Sequence, residues 1–256
     1  MIARYTRERI GAVWTQQRKL ERWLEVELAV TETLAEEGIV PAEAAAACRE
    51  RASFTVEAVE ERERVTNHDV AAFVDVVAAS IGEEGRWIHY GLTSSDVLDT
   101  ALALQLVEAG EIIVDGARSF RDALIERALE HRETICIGRT HGIHAEPTSF
   151  GLRLAGFAFE ADRNLRRLER AFEQAAVGKL SGAVGTYATL PPRIEARVME
   201  RLGLRREDAS TQIVPRDRHA EVLSVVALAG AGLERFATEI RNLQRTELRE
   251  VEEPFR

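Results

Sequence analysis

The chain has 256 residues, of which 45% are hydrophobic and 30% charged, an ordinary composition for a globular protein. Acidic residues (43) outnumber basic residues (34), and the net charge of −9 argues against a general nucleic-acid binder while allowing local basic pockets. Two isolated cysteines, no signal peptide and no run of about 18 apolar residues predict a cytoplasmic protein without disulfides, structural zinc or a membrane span.

The first 91 residues predict a small N-terminal helical domain. An amphipathic helix covers residues 14–37, ends near Gly38 and is followed by a new helix from Pro41. A further apolar helix runs from Val70 to about Gly82. We place the domain boundary near Gly91.

Residues 92–256 predict an incomplete bundle of long helices. An apolar helix follows residues 93–96, and apolar residues at alternating steps of three and four predict helices near 111–132, 148–176 and 217–250. Strand signals are nearly absent. The apolar run of residues 135–137 is the exception, and it is too short to build a sheet. The predicted fold class is therefore all-α. The one-sided apolar seams of these helices need partners, either from other chains or from more of the same domain.

Polar residues suited to chemistry gather at helix ends and in loops, in the segments 67–69, 89–96, 139–144 and 212–219. Each has an ordinary structural explanation: Thr93 to Asp96 is first of all a helix N-cap, although a helix N-terminus with hydroxyl groups can also bind a carboxylate or phosphate. His141 stands before Gly142, where close approach of a ligand is possible, and histidine titrates in the range useful for proton transfer. The glycine-containing segment 178–186 lacks the order of a phosphate-binding loop.

These motifs together resemble a known enzyme family. The segments 93–96, 139–142 and 179–185 resemble the fumarase/aspartase superfamily of lyases. Within this superfamily, the chain most resembles the members that act on succinylated purine nucleotides. This closer resemblance is carried by Arg4-Tyr5 and the segments 67–70, 140–148 and 212–219. The resemblance runs along the whole chain, and the common order of the motifs makes it specific.

The resemblance implies a fold, an activity and an assembly. It implies an all-α homotetramer with active sites built from several subunits, and no metal or cofactor. It implies a carbon–nitrogen lyase that splits adenylosuccinate into AMP and fumarate, and the corresponding succinylated imidazole-carboxamide intermediate of purine synthesis. Nucleic acids and membranes are not expected partners.

The resemblance also implies roles for individual residues. His141 would be the general acid, and Thr93 and Ser94 would hold a fumaryl carboxylate. The other implied substrate-binding residues are Arg4 and Tyr5 near the phosphate, with Asn67, His68, Asp69, His89, Thr140 and Gln212. These residue types suit β-elimination, which needs donors around a carbanion-stabilising carboxylate and a proton for the leaving nitrogen.

One feature of the superfamily is not found in these 256 residues. Its Gly/Ser-rich loop, which carries the serine base and a lysine, follows a Glu-Pro-Phe segment, and here that segment is residues 253–255. We therefore expect this chain by itself to be truncated before that loop and to have little activity. Two alternatives stay open: another fumarate-releasing lyase of the superfamily, and a non-catalytic helical oligomerisation module.

Overall fold

The computed structural model describes residues 2–252, which are mainly helical. The α-helices are α1 (Glu8–Val13), α2 (Gln16–Glu36), α3 (Ala42–Arg51), α4 (Val56–Thr66), α5 (Asp69–Ile81), α6 (Ser94–Glu130), α7 (Phe150–Ala175), α8 (Pro192–Leu202) and α9 (Asp217–Leu243). The strands are β1 (Ile135–Thr140), β2 (Ile143–Ser149), β3 (Val177–Gly178) and β4 (Arg205–Arg206), and short 3₁₀ helices cover Ala3–Tyr5 and Glu83–Trp87. Within the described range, no helix has the length and apolar character that a membrane span requires.

The all-α fold class predicted from the apolar periodicity is confirmed. The helix predicted at 14–37 is α2, the helix predicted from Val70 is α5, and α7 and α9 lie where long helices were expected. α9 ends at Leu243, earlier than the predicted residue 250. Caps define several ends: the hydroxyl of Thr15 accepts a hydrogen bond from the N–H of Arg18 at the start of α2, and Gly203 adopts φ +69 at the end of α8.

Residues 135–149 form a β-hairpin, so the prediction that the segment 139–144 is a helix end or a loop was wrong. β1 and β2 are antiparallel, and Pro147 of β2 pairs with Ile137 of β1. A proline can occupy this position because both strands of an isolated hairpin are edge strands, where a missing N–H is tolerated. The partner strand is polar, and the sequence of residues 143–149 therefore gave little sign of it.

α6 is one continuous helix of 37 residues, where the sequence predicted separate helices on either side of residue 110. Gly110 does not interrupt it. A Cβ at this position would lie 2.7 Å from the ring of Phe172, so glycine here allows α7 to pack closely against α6.

The chain divides into two compact units. Unit 1 comprises Met1–Ala109 and Gln174–Arg216, and unit 2 comprises Gly110–Glu173 and Asp217–Arg256. In unit 1, Trp23 of α2 packs edge-on against Phe73 of α5, with ring centroids 5.4 Å apart. In unit 2, Phe157 of α7 packs against Phe236 of α9, with ring centroids 5.2 Å apart. The domain boundary near Gly91 stays a prediction.

A row of arginines ties α8 to α2 within unit 1. Arg193, Arg197 and Arg201, which we call the arginine row, follow one another at intervals of four and so share one face of α8. They pair with carboxylates of α2 and of its C-cap residue Glu37, in the contacts Arg193–Glu37, Arg197–Glu36, Arg197–Glu37, Arg201–Glu32 and Arg201–Glu36. This network fixes α8 on the surface of α2.

Candidate active site

The N-terminus of α6 in unit 1 is capped by the carboxylate of Asp96. The backbone N–H of Thr93 donates to Oδ2 of Asp96 at 3.0 Å, and the N–H of Asp96 donates to the carbonyl of Thr93 at 2.9 Å. This is the return half of a capping box. Because Asp96 provides the cap, no hydrogen bond among the described residues uses the Thr93 hydroxyl, and both Thr93 and Ser94 remain partly exposed.

His68 and Ser94 come together at this helix end. Nε2 of His68 lies 3.4 Å from Oγ of Ser94. Nδ1 of the same ring accepts a hydrogen bond from the N–H of Ala71 at 3.3 Å and caps α5. A ring nitrogen that accepts carries no proton, so the neutral imidazole has its proton on Nε2, facing Ser94. An imidazole N–H and a hydroxyl beside the positive end of a long helix form a suitable place for a carboxylate.

Asp96 also binds the ammonium group of Lys179. Both side chains are completely buried, and the ammonium donates to Oδ1 of Asp96 and to the carbonyl of Gly182, the latter at 3.2 Å. The N–H of Gly182 donates to Oδ1 of Asp96 at 3.3 Å. These contacts hold the segment 179–182 against the first turn of α6.

A second buried carboxylate holds the same segment. Glu195 of α8 accepts hydrogen bonds from the N–H of Leu180 at 2.6 Å and from the hydroxyl of Tyr187 at 2.8 Å. Burial, followed by the hydrogen bond to Glu195, raises the pKa of Tyr187 to about 12. The N–H groups of Leu180 and Gly182 therefore already donate to carboxylates, which agrees with the rejection of a phosphate-binding loop.

The segment before α9 is anchored by Asp99 of α6. Oδ2 of Asp99 accepts the N–H of Val214 at 2.7 Å, and the carboxylate accepts both terminal nitrogens of Arg216, at 2.9 and 3.1 Å. A bidentate arginine–carboxylate pair fixes the relative orientation of the two side chains and also pairs their charges. Gln212, two residues before Val214, is exposed.

Glu27 is completely buried on α2, and both of its carboxylate oxygens bind His89. Oε1 lies 2.6 Å from Nδ1, and Oε2 accepts the backbone N–H of His89 at 2.8 Å. Burial alone would lower the pKa of His89, but the hydrogen bond and the charge of Glu27 outweigh it, and the pKa is raised. The backbone of His89 adopts φ +64, a conformation uncommon for a residue with a Cβ.

His141 lies at the tip of the hairpin in unit 2. His141 and Gly142 form a two-residue turn closed by the pair Thr140–Ile143, with φ of +56 and +75. Positive φ at both residues is the pattern of a type I′ turn, whose twist matches that of paired strands. The exposed imidazole is thus carried by a defined turn, which suits a group that must meet a substrate in one orientation.

Arg139 of β1 forms a bidentate ion pair with Glu250. Its Nη1 donates to Oε2 at 3.0 Å, and its Nη2 donates to Oε1 at 2.6 Å. The hydrogen bonds between the two groups lower the pKa of Glu250 and raise the pKa of Arg139. A cleft of about 770 Å³ opens beside this pair. Polar and apolar atoms contribute about equally to its lining, which consists of Arg139, Gly142, His144, Arg153, Glu239, Asn242, Leu243, Arg245, Glu247 and Leu248. Two of its three guanidinium groups are paired with carboxylates, Arg139 with Glu250 and Arg153 with Glu239.

The remaining predicted site residues lie at helix ends and on exposed segments. Asn67 ends α4 with φ +50, and Asp69 begins α5, where its carboxylate accepts the N–H of Val70 at 2.8 Å. Arg4 and Tyr5 lie in the Ala3–Tyr5 helix, where the guanidinium of Arg4 is 4.9 Å from the ring centroid of Tyr5. Thr140 ends β1, and Gln212 lies in the loop before α9. Within residues 2–252, no hydrogen bond or ion pair joins Arg4, Tyr5 or Gln212 to the other predicted site residues.

The partners that hold these residues, above all Glu27 and Glu250, were not predicted from the sequence. Glu27 has a visible signal, since it stands among the apolar residues of α2, between Val26 and Leu28. Glu250 has none, because it lies beyond the end of α9 and meets Arg139 only through the fold. Among the described residues, no group of three or more His, Cys, Asp or Glu side chains is arranged to hold a metal ion.

Comparison with known proteins shows which proteins the chain is similar to. A family model described as "Lyase" matches residues 3–256. Adenylosuccinate lyase from Thermotoga maritima is 53% identical over 256 residues, which is 100% of this chain and 59% of that protein. Adenylosuccinate lyase from Bacillus subtilis is 49% identical over 255 residues, which is again 100% of this chain and 59% of that protein. The crystal structure of fumarate lyase from Mesorhizobium sp. BNC1 has a TM-score of 0.89 and 32% identity, over 96% of this chain and 59% of that one.

The chain therefore spans about 59% of the length of the curated relatives that it matches. Since the family model covers nearly all of its residues, the chain belongs to this lyase family.

Proposed function

We propose that this chain carries the substrate-binding residues and the proton donor of an adenylosuccinate lyase. Such an enzyme splits adenylosuccinate into AMP and fumarate, and acts in the same way on the succinylated imidazole-carboxamide intermediate of purine synthesis. The observation that carries the proposal is the contact of His68 with Ser94 at the start of α6. The name of the relatives that are 53% and 49% identical supports it.

The first requirement of the reaction is a place for a carboxylate of the succinyl group. The serine base of the superfamily, which is not found in these 256 residues, takes the proton next to this carboxylate. The charge of the resulting carbanion spreads onto the carboxylate oxygens. The hydroxyls of Thr93 and Ser94 and the Nε2–H of His68 are donors at the positive end of α6, and donors fixed before the reaction stabilise such charge most effectively. Asp96 and Lys179 contribute indirectly, because they hold this helix end in place.

The second requirement is a proton for the departing nitrogen. We assign this role to His141, since histidine exchanges a proton near neutral pH and this side chain is exposed at the tip of the hairpin. The remaining proposed residues bind the nucleotide. They are Arg4, Tyr5, Asn67, Asp69, His89, Thr140 and Gln212. The proposed reaction uses only side chains and backbone donors of the protein.

The proposed assembly is a homotetramer, in which each active site takes residues from several subunits. Unit 2 supplies supporting observations. Its long helices expose large apolar side chains, including Leu152, Phe159 and Leu223, each about two-thirds exposed or more. An apolar groove of about 280 Å³ runs between residues of α6, α7 and α9. Apolar surface of this extent is typical of an interface. We place the tetramer in the cytoplasm.

The test is a lyase assay on a chimera, in which this chain replaces the matching 59% of the Thermotoga maritima enzyme. We expect fumarate release from adenylosuccinate, and no release from argininosuccinate or aspartate. Release from one of those compounds instead would support another lyase of the superfamily. A chimera that forms tetramers in sedimentation but binds neither adenylosuccinate nor AMP would favour an oligomerisation module.

A further inference from the structure

Glu27 has a buried carboxylate that takes no part in the proposed reaction. Both of its oxygens bind His89. We propose that Glu27 is the positioning residue of His89: its two oxygens fix the backbone and ring of His89, so that Nε2 presents a charged donor to an anionic oxygen group of the substrate. This inference rests on the proposed function, which gives His89 a place in the substrate site.

The geometry fixes the histidine in two ways. The bond from the His89 backbone N–H to Oε2 of Glu27 holds the residue in its positive-φ conformation. The contact of Nδ1 with Oε1 fixes the rotation of the ring. Nε2 is on the opposite edge of the imidazole, and none of the residues that the structure describes forms a hydrogen bond with it. The side chain is 22% exposed, so this edge has access to a ligand.

Electrostatics favours the charged form of this ring. Glu27 is completely buried, and a buried carboxylate is stable only with a charged or multiply donating partner. The charged groups that face His89 are Glu27 from α2 and Asp96 from α6, and both are acidic. Lys179 pairs with Asp96 and leaves Glu27 as the direct partner of the imidazole. A charged imidazole donates a stronger hydrogen bond to an anion than a neutral one does.

The ligand chemistry is therefore an oxyanion, and the proposed substrate offers two sources of it. AMP carries the phosphate, and fumarate carries carboxylates. Adenosine, which has neither group, serves as the uncharged control ligand.

The experiment compares the wild-type chain with Glu27→Gln. The amide keeps the size of the side chain and the oxygen that accepts the backbone N–H, but removes the negative charge. The matched control is Glu32→Gln, which removes a partly buried carboxylate of the same helix that pairs with Arg49 and Arg201. NMR titration of the histidine ring signals follows His89, and calorimetry measures binding of AMP, fumarate and adenosine.

We expect the wild-type His89 to titrate above the ordinary histidine pKa of about 6.5, and Glu27→Gln to titrate below it. At pH 7 the variant should bind either AMP or fumarate about tenfold more weakly, the usual effect of losing a charge-assisted hydrogen bond. Adenosine binding, and all binding by Glu32→Gln, should not change. The ligand that loses affinity identifies the oxyanion.

Several results would overturn the inference. A wild-type His89 that titrates at or below its ordinary pKa would do so, and this measurement needs no variant to fold. Equal weakening of adenosine and AMP would show a merely structural role. If the wild-type chain binds neither AMP nor fumarate, the proposed function and the ligand part of the inference both fail. The titration then still decides, separately, whether Glu27 holds the charge on His89.

Discussion

Lys179 and Asp96, 83 positions apart in the sequence, form an ion pair in which both side chains are completely buried. The same carboxylate accepts the N–H of Thr93 and so defines the first turn of α6. One buried pair therefore joins the glycine-containing segment after α7 to the helix end that we propose binds the substrate carboxylate. The stability of the fold and the shape of the site depend on the same two side chains.

We predict that Lys179→Met destabilises the protein strongly. The substitution leaves Asp96 as a buried charge without its cation, and breaking one partner of such a pair costs about 3–5 kcal/mol. The measurement is the free energy of unfolding from urea titrations. The control is Lys19→Met, which removes a cation 4.6 Å from the ring of Trp23 and should cost only about 0.5–1 kcal/mol. Equal losses in the two variants would contradict a special role for the Lys179–Asp96 pair.

We predict that His141→Asn removes activity without loss of stability. Asparagine followed by glycine is the favoured pair for a type I′ turn, so the hairpin should form at least as well as before. Loss of the general acid should lower kcat of the active chimera by about 10²–10⁴-fold. Thermal unfolding and the AMP affinity serve as controls and should stay unchanged. A variant with unchanged kcat would contradict the assignment of His141 as the proton donor.

We predict that Ser94→Ala weakens fumarate binding while Ser95→Ala does not. Only Ser94 places its hydroxyl beside Nε2 of His68, although both serines lie in the first turn of α6. A hydrogen bond to a charged group contributes about 1.5–3 kcal/mol, so the loss in affinity should be roughly 10–100-fold. Calorimetric titration with fumarate measures it. The same loss in both variants would point to the helix end in general rather than to the Ser94 hydroxyl.

We predict that Glu32 stabilises the fold at neutral pH and not in acid. The hydrogen bond from Arg49, with further help from Arg201, lowers the pKa of this carboxyl. A carboxyl with a lowered pKa in the folded state contributes stability above its unfolded pKa of about 4.3 and loses it as the pH falls through the folded value.

Glu32→Gln should therefore lower Tm by about 2–4 °C at pH 7, for an effect near 1 kcal/mol. The difference from the wild type should close below about pH 4. The exposed Glu60→Gln is the control and should have no effect at either pH. A difference that persists at pH 3 would show that Glu32 acts through packing rather than charge.

The long helices were predictable because each carries a continuous apolar stripe in its sequence. In α7, for example, the apolar series through Leu154, Phe157 and Leu168 repeats with the helical period, and these side chains are buried. The hairpin was not predictable in the same way. Its second strand is polar and exposed, and a histidine before Gly142 is a weaker turn signal than an asparagine would be.

The candidate site could be predicted as a set of segments but not as a set of contacts. The polar clusters at helix ends are visible in the sequence, and so is the order that they share with a lyase family. The partners are not visible, because Glu27 reaches His89 across 62 positions and Arg139 reaches Glu250 across 111. Such pairs depend on how helices pack, which local patterns do not record.

The two-residue turn at His141 also restricts how this part of the chain can change in evolution. The pair Thr140–Ile143 closes the turn directly, and the pairing stays regular through Arg139–His144 before its register shifts between Ile137 and Arg139. Inserting or deleting one residue in the turn would shift these two pairs by one position and move their side chains to the opposite face of the hairpin. Homologous sequences should therefore keep the same length at this turn, and length differences should collect elsewhere.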